Sequence, residues 1–135
     1  SFRNTLNQIS KKNKIILVYP TPENNVHVPR TLFNKYLKED LIFDINTETK
    51  HFITIPYSDY KIRSKLTFEL FNSIKGDEVY RVYPHQLFCN TLINKKCIAH
   101  DYEKIFYFDS NHLSIEGASI VNKKIINEIE KINSN

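Results

Sequence analysis

Hydrophobic residues along the chain switch repeatedly between the spacing of a helix and that of a strand. Phe2, Leu6 and Ile9 recur at helical intervals, and the run from Lys14 to Tyr19 is rich in β-branched residues, as expected of a buried strand. This alternation between helical and strand spacing continues to the end of the chain. It predicts helices that begin at Pro29, run from Tyr57 to Lys75 and follow Ser114, and strands over 78–83 and 105–108. The segment 41–56 contains only short apolar alternations and is assigned no element.

Two of the predicted helices contain many apolar positions. For the helix from Tyr57 to Lys75, Ser58 is the predicted N-cap and Gly76 the residue that ends the helix. The apolar positions of this helix are Tyr60, Ile62, Leu66, Phe68, Leu70, Phe71 and Ile74. The predicted inner stripe of the last helix consists of Ile115, Ala118, Ile120, Val121, Ile125, Ile129 and Ile132. Both helices are therefore expected to pack on a common core.

The order of these elements indicates the fold class. Alternating strands and helices are typical of α/β proteins, in which a parallel sheet lies between helical layers. The sequence contains no internal repeat, low-complexity segment or linker. Residues 1–135 are therefore predicted to form a single unit.

Composition excludes several classes of protein. The 135 residues are 41% hydrophobic and 25% charged, which is ordinary for a globular domain, and no apolar run approaches the ~20 residues of a membrane span. With only two glycines, Gly76 and Gly117, the chain lacks the glycine-rich loops that bind dinucleotides or phosphates. The net charge of +4 is spread along the chain. Nucleic-acid binding by base stacking is disfavoured because the aromatic residues fall on predicted core stripes such as Phe106/Phe108.

The stretch after the last predicted strand carries the clearest chemical signal. Asp109 and His112 are three residues apart, between a predicted strand and a predicted helix. Through a tight turn, the carboxylate can reach the near ring nitrogen of the histidine and leave the far nitrogen free to accept a proton from a nucleophile. Ser114 is a candidate N-cap for the following helix. From this spacing alone, a turn-capping aspartate beside an ordinary histidine remains the simpler alternative.

A longer motif surrounds this pair. The segment 106–118 resembles the last sequence block of the SGNH (GDSL-type) hydrolase superfamily, and most closely the extracytoplasmic SGNH domains fused to bacterial membrane O-acyltransferases. The residues that carry the resemblance are Tyr107, Asp109, His112, Leu113, Ser114, Gly117 and Ala118. The resemblance implies an SGNH or flavodoxin-like α/β fold and catalytic roles for Asp109 and His112.

Other segments resemble the same family in order and spacing. Residues 16–23 end a predicted strand in a Pro-x-Pro-Glu loop, and Val28-Pro29-Arg30 follows. Cys89 and Cys97 lie in a polar segment, where the sequence alone allows either two reduced thiols or a disulfide. The resemblance implies the disulfide, which would contribute on the order of 2.5 kcal/mol by restricting the unfolded chain, and an oxidising compartment.

The family's nucleophile motif is missing from the sequence. No Gly-Asp-Ser and no Gly-x-Asn-Asp occurs, and Gly76-Asp77-Glu78 lacks the hydroxyl. We expect the chain to be the C-terminal part of an SGNH domain whose first strands and serine lie outside it, rather than a diverged, inactive domain. Alone, it is expected to be inactive, because the covalent step and the oxyanion donors are both lacking.

The resemblance also implies partners and a place in the cell. The expected partners are a membrane acyltransferase domain in the same polypeptide and a cell-surface polysaccharide that gains or loses an acyl group, acetyl above all. The expected location is the periplasmic side of the membrane. No cofactor is expected, and no metal, since an arrangement of His100, Asp101, Asp109 and His112 matches no zinc signature. A non-catalytic α/β module that binds glycan or docks on the membrane acyltransferase is the alternative.

Overall fold

The computed structural model describes residues 1–39 and 51–134 of the chain. The elements in chain order are α1 (Phe2–Ser10), β1 (Ile15–Val18), α2 (Val28–Glu39), β2 (Thr54–Pro56), α3 (Tyr57–Asn72), β3 (Val79–Val82), β4 (Lys96–Ile98) and α4 (Ile115–Ser134). A 3₁₀ turn, Pro84–Leu87, follows β3. Of the unassigned segment 41–56, residues 41–50 lie outside the described part and the last three form β2. Within the described ranges, no helix is long and apolar enough to cross a membrane.

The parallel pair of β1 and β3 is the centre of the fold. Ile15 pairs with Val79, and the register continues to Val18 and Val82. Both strands are four residues long, and β1 consists entirely of aliphatic residues, as is usual for parallel strands covered by helices. The predicted α/β class is therefore confirmed, with helices before, between and after the two strands.

Aromatic side chains from α3 pack against the sheet through Tyr19, which directly follows β1. The Tyr19 ring lies 4.6 Å from that of Phe68, 5.1 Å from that of Phe71 and 4.5 Å from that of Tyr83, measured between centroids. Its hydroxyl donates a 2.6 Å hydrogen bond to Asn72 Oδ1 at the end of α3. A buried tyrosine thus fixes the helix against the carboxyl end of β1.

The disulfide belongs to a second, antiparallel pair of strands that the sequence did not indicate. β2 and β4 pair with Ile55 opposite Cys97. Cys97 is bonded to Cys89, and both cysteines are buried. These strands are only three residues long, too short for alternation to distinguish them from loop. The polar segment that contains Cys89 and Cys97 is therefore partly a strand.

The predicted strand over 105–108 is wrong. Its residues form only isolated bridges, between Ile105 and His100 and between Tyr107 and Leu113. The Phe106 N–H donates to the carbonyl oxygen of Ala99 at 3.0 Å, and the Phe106 carbonyl accepts from Ser114 at 2.9 Å. The backbone of Phe106 therefore forms hydrogen bonds with the segments before and after it, and not with a strand of a sheet. The apolar run marks burial of Phe106 and Tyr107.

The limits and inner face of α3 also differ from the prediction. Pro56 occupies the N-cap position, whereas the Ser58 hydroxyl donates to Asp59 Oδ1. The helix ends at Asn72 and not at Lys75, and Gly76 instead provides the positive φ of +153° in the turn before β3.

Several apolar residues of both long helices face solvent. Ile62 and Leu66 are exposed because they lie about 200° around α3 from its buried residues Tyr60 and Ser64. In α4, Ile115 and Ile129 are likewise exposed, and the buried positions are Gly117, Val121 and Ile132.

A buried histidine links β2 to the segment before the motif. His100 Nε2 accepts a 3.0 Å hydrogen bond from the Ile53 N–H, so its Nδ1 carries the proton and donates to the Asp101 carbonyl at 3.0 Å. The bond from the Ile53 N–H requires the neutral ring, because a protonated Nε2 cannot accept. Burial lowers the pKa of His100.

We predict a loss of stability in mild acid because of this histidine. Its pKa is lower in the folded than in the unfolded chain, where it is about 6.5, so its contribution is present above that pH and is lost as the pH falls below it. The loss is at most about 1.4 kcal/mol per pH unit for one proton. Urea unfolding of wild type and His100→Gln between pH 8 and about pH 5 measures it.

His100→Gln should show a shallower pH slope than wild type. The exposed His27→Gln serves as the control and should keep the wild-type slope. Equal slopes for wild type and His100→Gln would contradict the assignment.

Candidate active site

Asp109 and His112 are brought together by a tight turn before α4. The Asp109 Oδ2 atom lies 2.7 Å from His112 Nδ1. Its other oxygen, Oδ1, accepts from the backbone N–H groups of Asn111 at 2.9 Å and His112 at 2.8 Å. The turn's own backbone therefore orients the carboxylate, and the carboxylate orients the ring.

These hydrogen bonds stabilise the charged form of the Asp109 carboxylate. The backbone N–H of His112, its ring and the N–H of Asn111 all favour the charged carboxylate, so the pKa of Asp109 lies well below its usual range. An ionised Asp109 accepts the Nδ1–H of a neutral imidazole and leaves Nε2 as the proton acceptor. The His112 side chain is 74% exposed. The pair thus presents a fixed basic nitrogen to whatever approaches this surface.

The remaining motif residues build the start of α4. The Ser114 hydroxyl accepts a 3.1 Å hydrogen bond from the Gly117 N–H, which confirms the predicted cap, and donates to the Ile105 carbonyl at 2.6 Å. A β-carbon at Gly117 would overlap the carbonyl oxygen of Phe106. Glycine at this position therefore lets the first turn of the helix pack directly on the segment that precedes Asp109.

The proline loop, residues 20–27, lies against the turn formed by residues 109–112. Asn24 donates to the Ser110 carbonyl through its backbone N–H at 2.7 Å and its side-chain Nδ2 at 3.3 Å. The Val28 N–H, at the start of α2, donates to the Asp109 carbonyl at 3.1 Å. Tyr107, two residues before Asp109, donates its buried hydroxyl to the Pro22 carbonyl at 2.7 Å. Two neighbouring carbonyls of the turn and one carbonyl of the loop are held in this way.

Helix α3 holds the other side of the proline loop. The Tyr60 hydroxyl donates to the Pro20 carbonyl at 2.9 Å. Arg63 donates to the Glu23 carbonyl at 3.4 Å and to Asn25 Oδ1 at 2.5 Å. The turn is therefore connected to α3, and through α3 to the sheet, by way of this loop.

A comparison with protein families assigns the chain to a family. The family model described as SGNH domain (fused to AT3 domains) matches residues 1–127. The chain belongs to this family. The resemblance drawn from the motif is confirmed, and membership associates this SGNH domain with acyltransferase or esterase activity and with a membrane acyltransferase domain in the same polypeptide. Neither curated proteins nor solved structures yield a match.

The structure places the candidate residues in two separate groups. Asp109 and His112 are in direct contact, whereas Cys89 and Cys97 form the disulfide beside β2 and β4. Across residues 1–39 and 51–134, no cluster of three or more potential metal ligands occurs. No role for Asn24 was predicted, and no sequence signal indicates one, because its partner Ser110 lies 86 residues further along the chain.

Two residues beside the pair were wrongly predicted to face the core. Phe108 is not part of the core but 70% exposed, and Ile115 on the other side of the turn is 88% exposed. Together with Lys104, Ile105 and Glu116 they line a shallow groove. An apolar surface therefore adjoins the Asp109–His112 pair.

We predict that the Tyr107 hydroxyl stabilises the link between loop and turn. Tyr107→Phe keeps the ring but leaves the buried Pro22 carbonyl without a donor, which should cost about 1–3 kcal/mol of unfolding free energy. Tyr80→Phe removes an exposed hydroxyl 3.4 Å from Glu78 Oε2 and should change stability by less than about 0.5 kcal/mol. Urea unfolding of both variants measures the difference, and equal stabilities would contradict the role of Tyr107.

Proposed function

We propose that this chain supplies the acid–base part of an acyl-transfer site on an SGNH domain, with a serine from outside the chain as the nucleophile. The observation that carries the proposal is the 2.7 Å contact between Asp109 and His112, made by a carboxylate that two backbone N–H groups hold in place. An aspartate that only capped the turn would not need to face the ring. The free Nε2 on an exposed surface is the position that a serine hydroxyl would have to reach.

The proposed reaction has two transfers of the same acyl group. The serine oxygen bonds to the acyl carbon while His112 Nε2 takes the hydroxyl proton, and the leaving group of the donor departs with that proton. A sugar hydroxyl, or water, then attacks the acyl-serine ester and gives its proton to Nε2. The serine leaves and recovers the proton. In both transfers, ionised Asp109 stabilises the imidazolium ring.

The family and the disulfide support the proposed substrate and location. Fusion to a membrane acyltransferase domain supports transfer of an acyl group, acetyl above all, to or from a polysaccharide on the cell surface. The Cys89–Cys97 disulfide supports an oxidising compartment and hence the periplasmic side of the membrane. No cofactor is needed, since proton transfer and a serine ester suffice for the chemistry.

A second candidate is a non-catalytic module that docks on the membrane acyltransferase domain. The exposed side chains of Phe108 and Ile115 favour it, because adjoining apolar residues on a surface are typical of interaction sites. The two candidates differ in their requirement for the histidine. Docking needs the apolar surface, whereas acyl transfer needs Nε2.

We predict that substitutions of the pair differ in severity in the polypeptide that also carries the acyltransferase domain. His112→Ala should remove nearly all transfer because the proton acceptor is lost. Asp109→Asn should retain binding but slow the chemical step by about 10⁴, as in serine proteases, because the amide no longer fixes the required tautomer. The measurement is acyl transfer to the surface polysaccharide.

Controls separate catalysis from folding and docking. The His112 ring is exposed, so His112→Ala should leave the melting temperature of the 135-residue chain nearly unchanged. Transfer at the wild-type rate by His112→Ala would end the catalytic assignment and favour the docking module.

We predict that the chain alone is a poor esterase. Without the external serine, its hydrolysis of 4-nitrophenyl acetate should not exceed that of free histidine at the same concentration. Initial rates for wild type and His112→Ala, measured over a range of substrate concentrations, provide the test. A saturable rate that requires His112 would mean that a nucleophile lies within this chain.

A further inference from the structure

A small polar cleft lies on the side of the proline loop held by α3. Its volume is about 120 Å³, and it is lined by Pro20, Thr21, Glu23, Tyr60, Arg63, Ser64 and Thr67. The four α3 residues share one face of the helix. The cleft is separate from the groove beside Phe108 and Ile115.

Some polar groups of the cleft are already used within the protein. The Tyr60 hydroxyl donates to Pro20, and the Ser64 hydroxyl donates to the Tyr60 carbonyl at 2.7 Å. The Arg63 guanidinium donates only to neutral oxygens, those of Glu23 and Asn25, and within residues 1–39 and 51–134 it forms no ion pair. A guanidinium has five N–H groups, so Arg63 retains donors for a ligand.

Other polar groups of the cleft have no partner among the described residues. These are the hydroxyls of Thr21 and Thr67 and the carboxylate of Glu23. The cleft therefore offers one cation, one anion and two hydroxyls that can donate and accept.

This combination restricts the charge of a ligand. An anion would be attracted by the Arg63 guanidinium but repelled by the Glu23 carboxylate. A cation would be attracted by Glu23 but repelled by Arg63. A neutral ligand with neighbouring hydroxyls can donate to Glu23 and accept from Arg63 at the same time. The volume has room for about four water molecules, which is enough for one edge of a sugar ring.

Two consecutive residues of the proline loop connect the cleft to the turn at Asp109 and His112. The carbonyl of Glu23 receives the Arg63 hydrogen bond, and the next residue, Asn24, donates to Ser110 in the turn. A ligand held by Arg63 and Glu23 would therefore lie next to the loop that positions Asp109 and His112.

We propose that this cleft, formed by Thr21, Glu23, Arg63 and Thr67, binds a neutral sugar unit of the glycan that takes part in acyl transfer. The inference rests on the proposed function for the role of the glycan, but the binding itself does not require catalysis. The site holds a sugar unit of the polysaccharide close to the catalytic turn, while the hydroxyl that reacts belongs to a unit nearer His112.

The test is binding of three sugars that differ in charge to the 135-residue chain. The probes are D-glucose, which is neutral, D-glucuronate, which is an anion, and D-glucosamine, which is a cation. Titrations followed by NMR report on the Thr21 and Thr67 methyl groups and on the Arg63 Nε–H. We expect glucose to shift these signals at lower concentration than either charged sugar.

Variants connect the binding to the named residues. Arg63→Leu should weaken glucose binding about tenfold, since a hydrogen bond to a charged group is lost. Thr67→Val, which keeps the side-chain shape, should weaken it as well. Arg3→Leu removes an exposed arginine of α1 and should bind as wild type. Equal affinity in wild type and Arg63→Leu, tighter binding of glucuronate than of glucose, or no shift with any sugar would overturn the proposal.

A further variant separates this inference from the proposed function. His112→Ala should bind glucose as wild type does. If transfer depends on His112 but the cleft binds no sugar, the cleft assignment alone is wrong. If glucose binds at the cleft but His112→Ala transfers normally, the catalytic proposal is wrong, and the cleft stands as the sugar site of a binding module.

Discussion

The structure depends most on the hydrogen bonds that hold the turn at Asp109 from both sides. From within, the N–H groups of residues 111 and 112 fix Oδ1 of the carboxylate. From outside, Asn24 and Val28 hold the carbonyls of Ser110 and Asp109. A four-residue turn by itself would sample several conformations, at a cost of about 1–2 kcal/mol per residue to order it. These bonds meet that cost before any substrate arrives, so the orientation of the His112 ring belongs to the folded chain.

The proline loop can act as a support because of its own chemistry. Pro20 and Pro22 have restricted φ angles and no N–H, so their carbonyls are the only backbone groups they offer. Each of these carbonyls accepts from a tyrosine, Tyr60 on α3 and Tyr107 before the turn. Two tyrosine hydroxyls from distant segments thus donate hydrogen bonds to the same loop. The tyrosine of the family motif has a physical role, which is to hold the segment before Asp109 against the loop that follows β1.

The sequence predicted the features that depend on local pattern. The parallel strands and the four helices follow from periodicity. The spacing of three residues allowed the Asp109–His112 contact, and the longer family motif favoured it. Elements that depend on distant partners were missed. The three-residue strands β2 and β4 exist because they pair with each other, and the run over 105–108 is apolar because Phe106 and Tyr107 are buried between other segments. Asn24 is recognisable as important only once Ser110 lies beside it.

Because the His112 side chain is exposed, either water or a sugar hydroxyl could reach it as the acceptor of the acyl group. A neutral imidazole can take a proton equally well from water or from a sugar hydroxyl, so the Asp109–His112 pair alone does not distinguish an esterase from a transferase. Discrimination requires that the sugar be held near the acyl group and that water be kept away. The apolar surface of Phe108 and Ile115 adjoins the pair, and the polar cleft at Arg63 adjoins the loop behind it. Whatever covers the apolar surface would exclude water, and a sugar bound in the cleft would raise the local concentration of acceptor. The choice between the two reactions is therefore made by the surroundings of the pair and not by the pair itself.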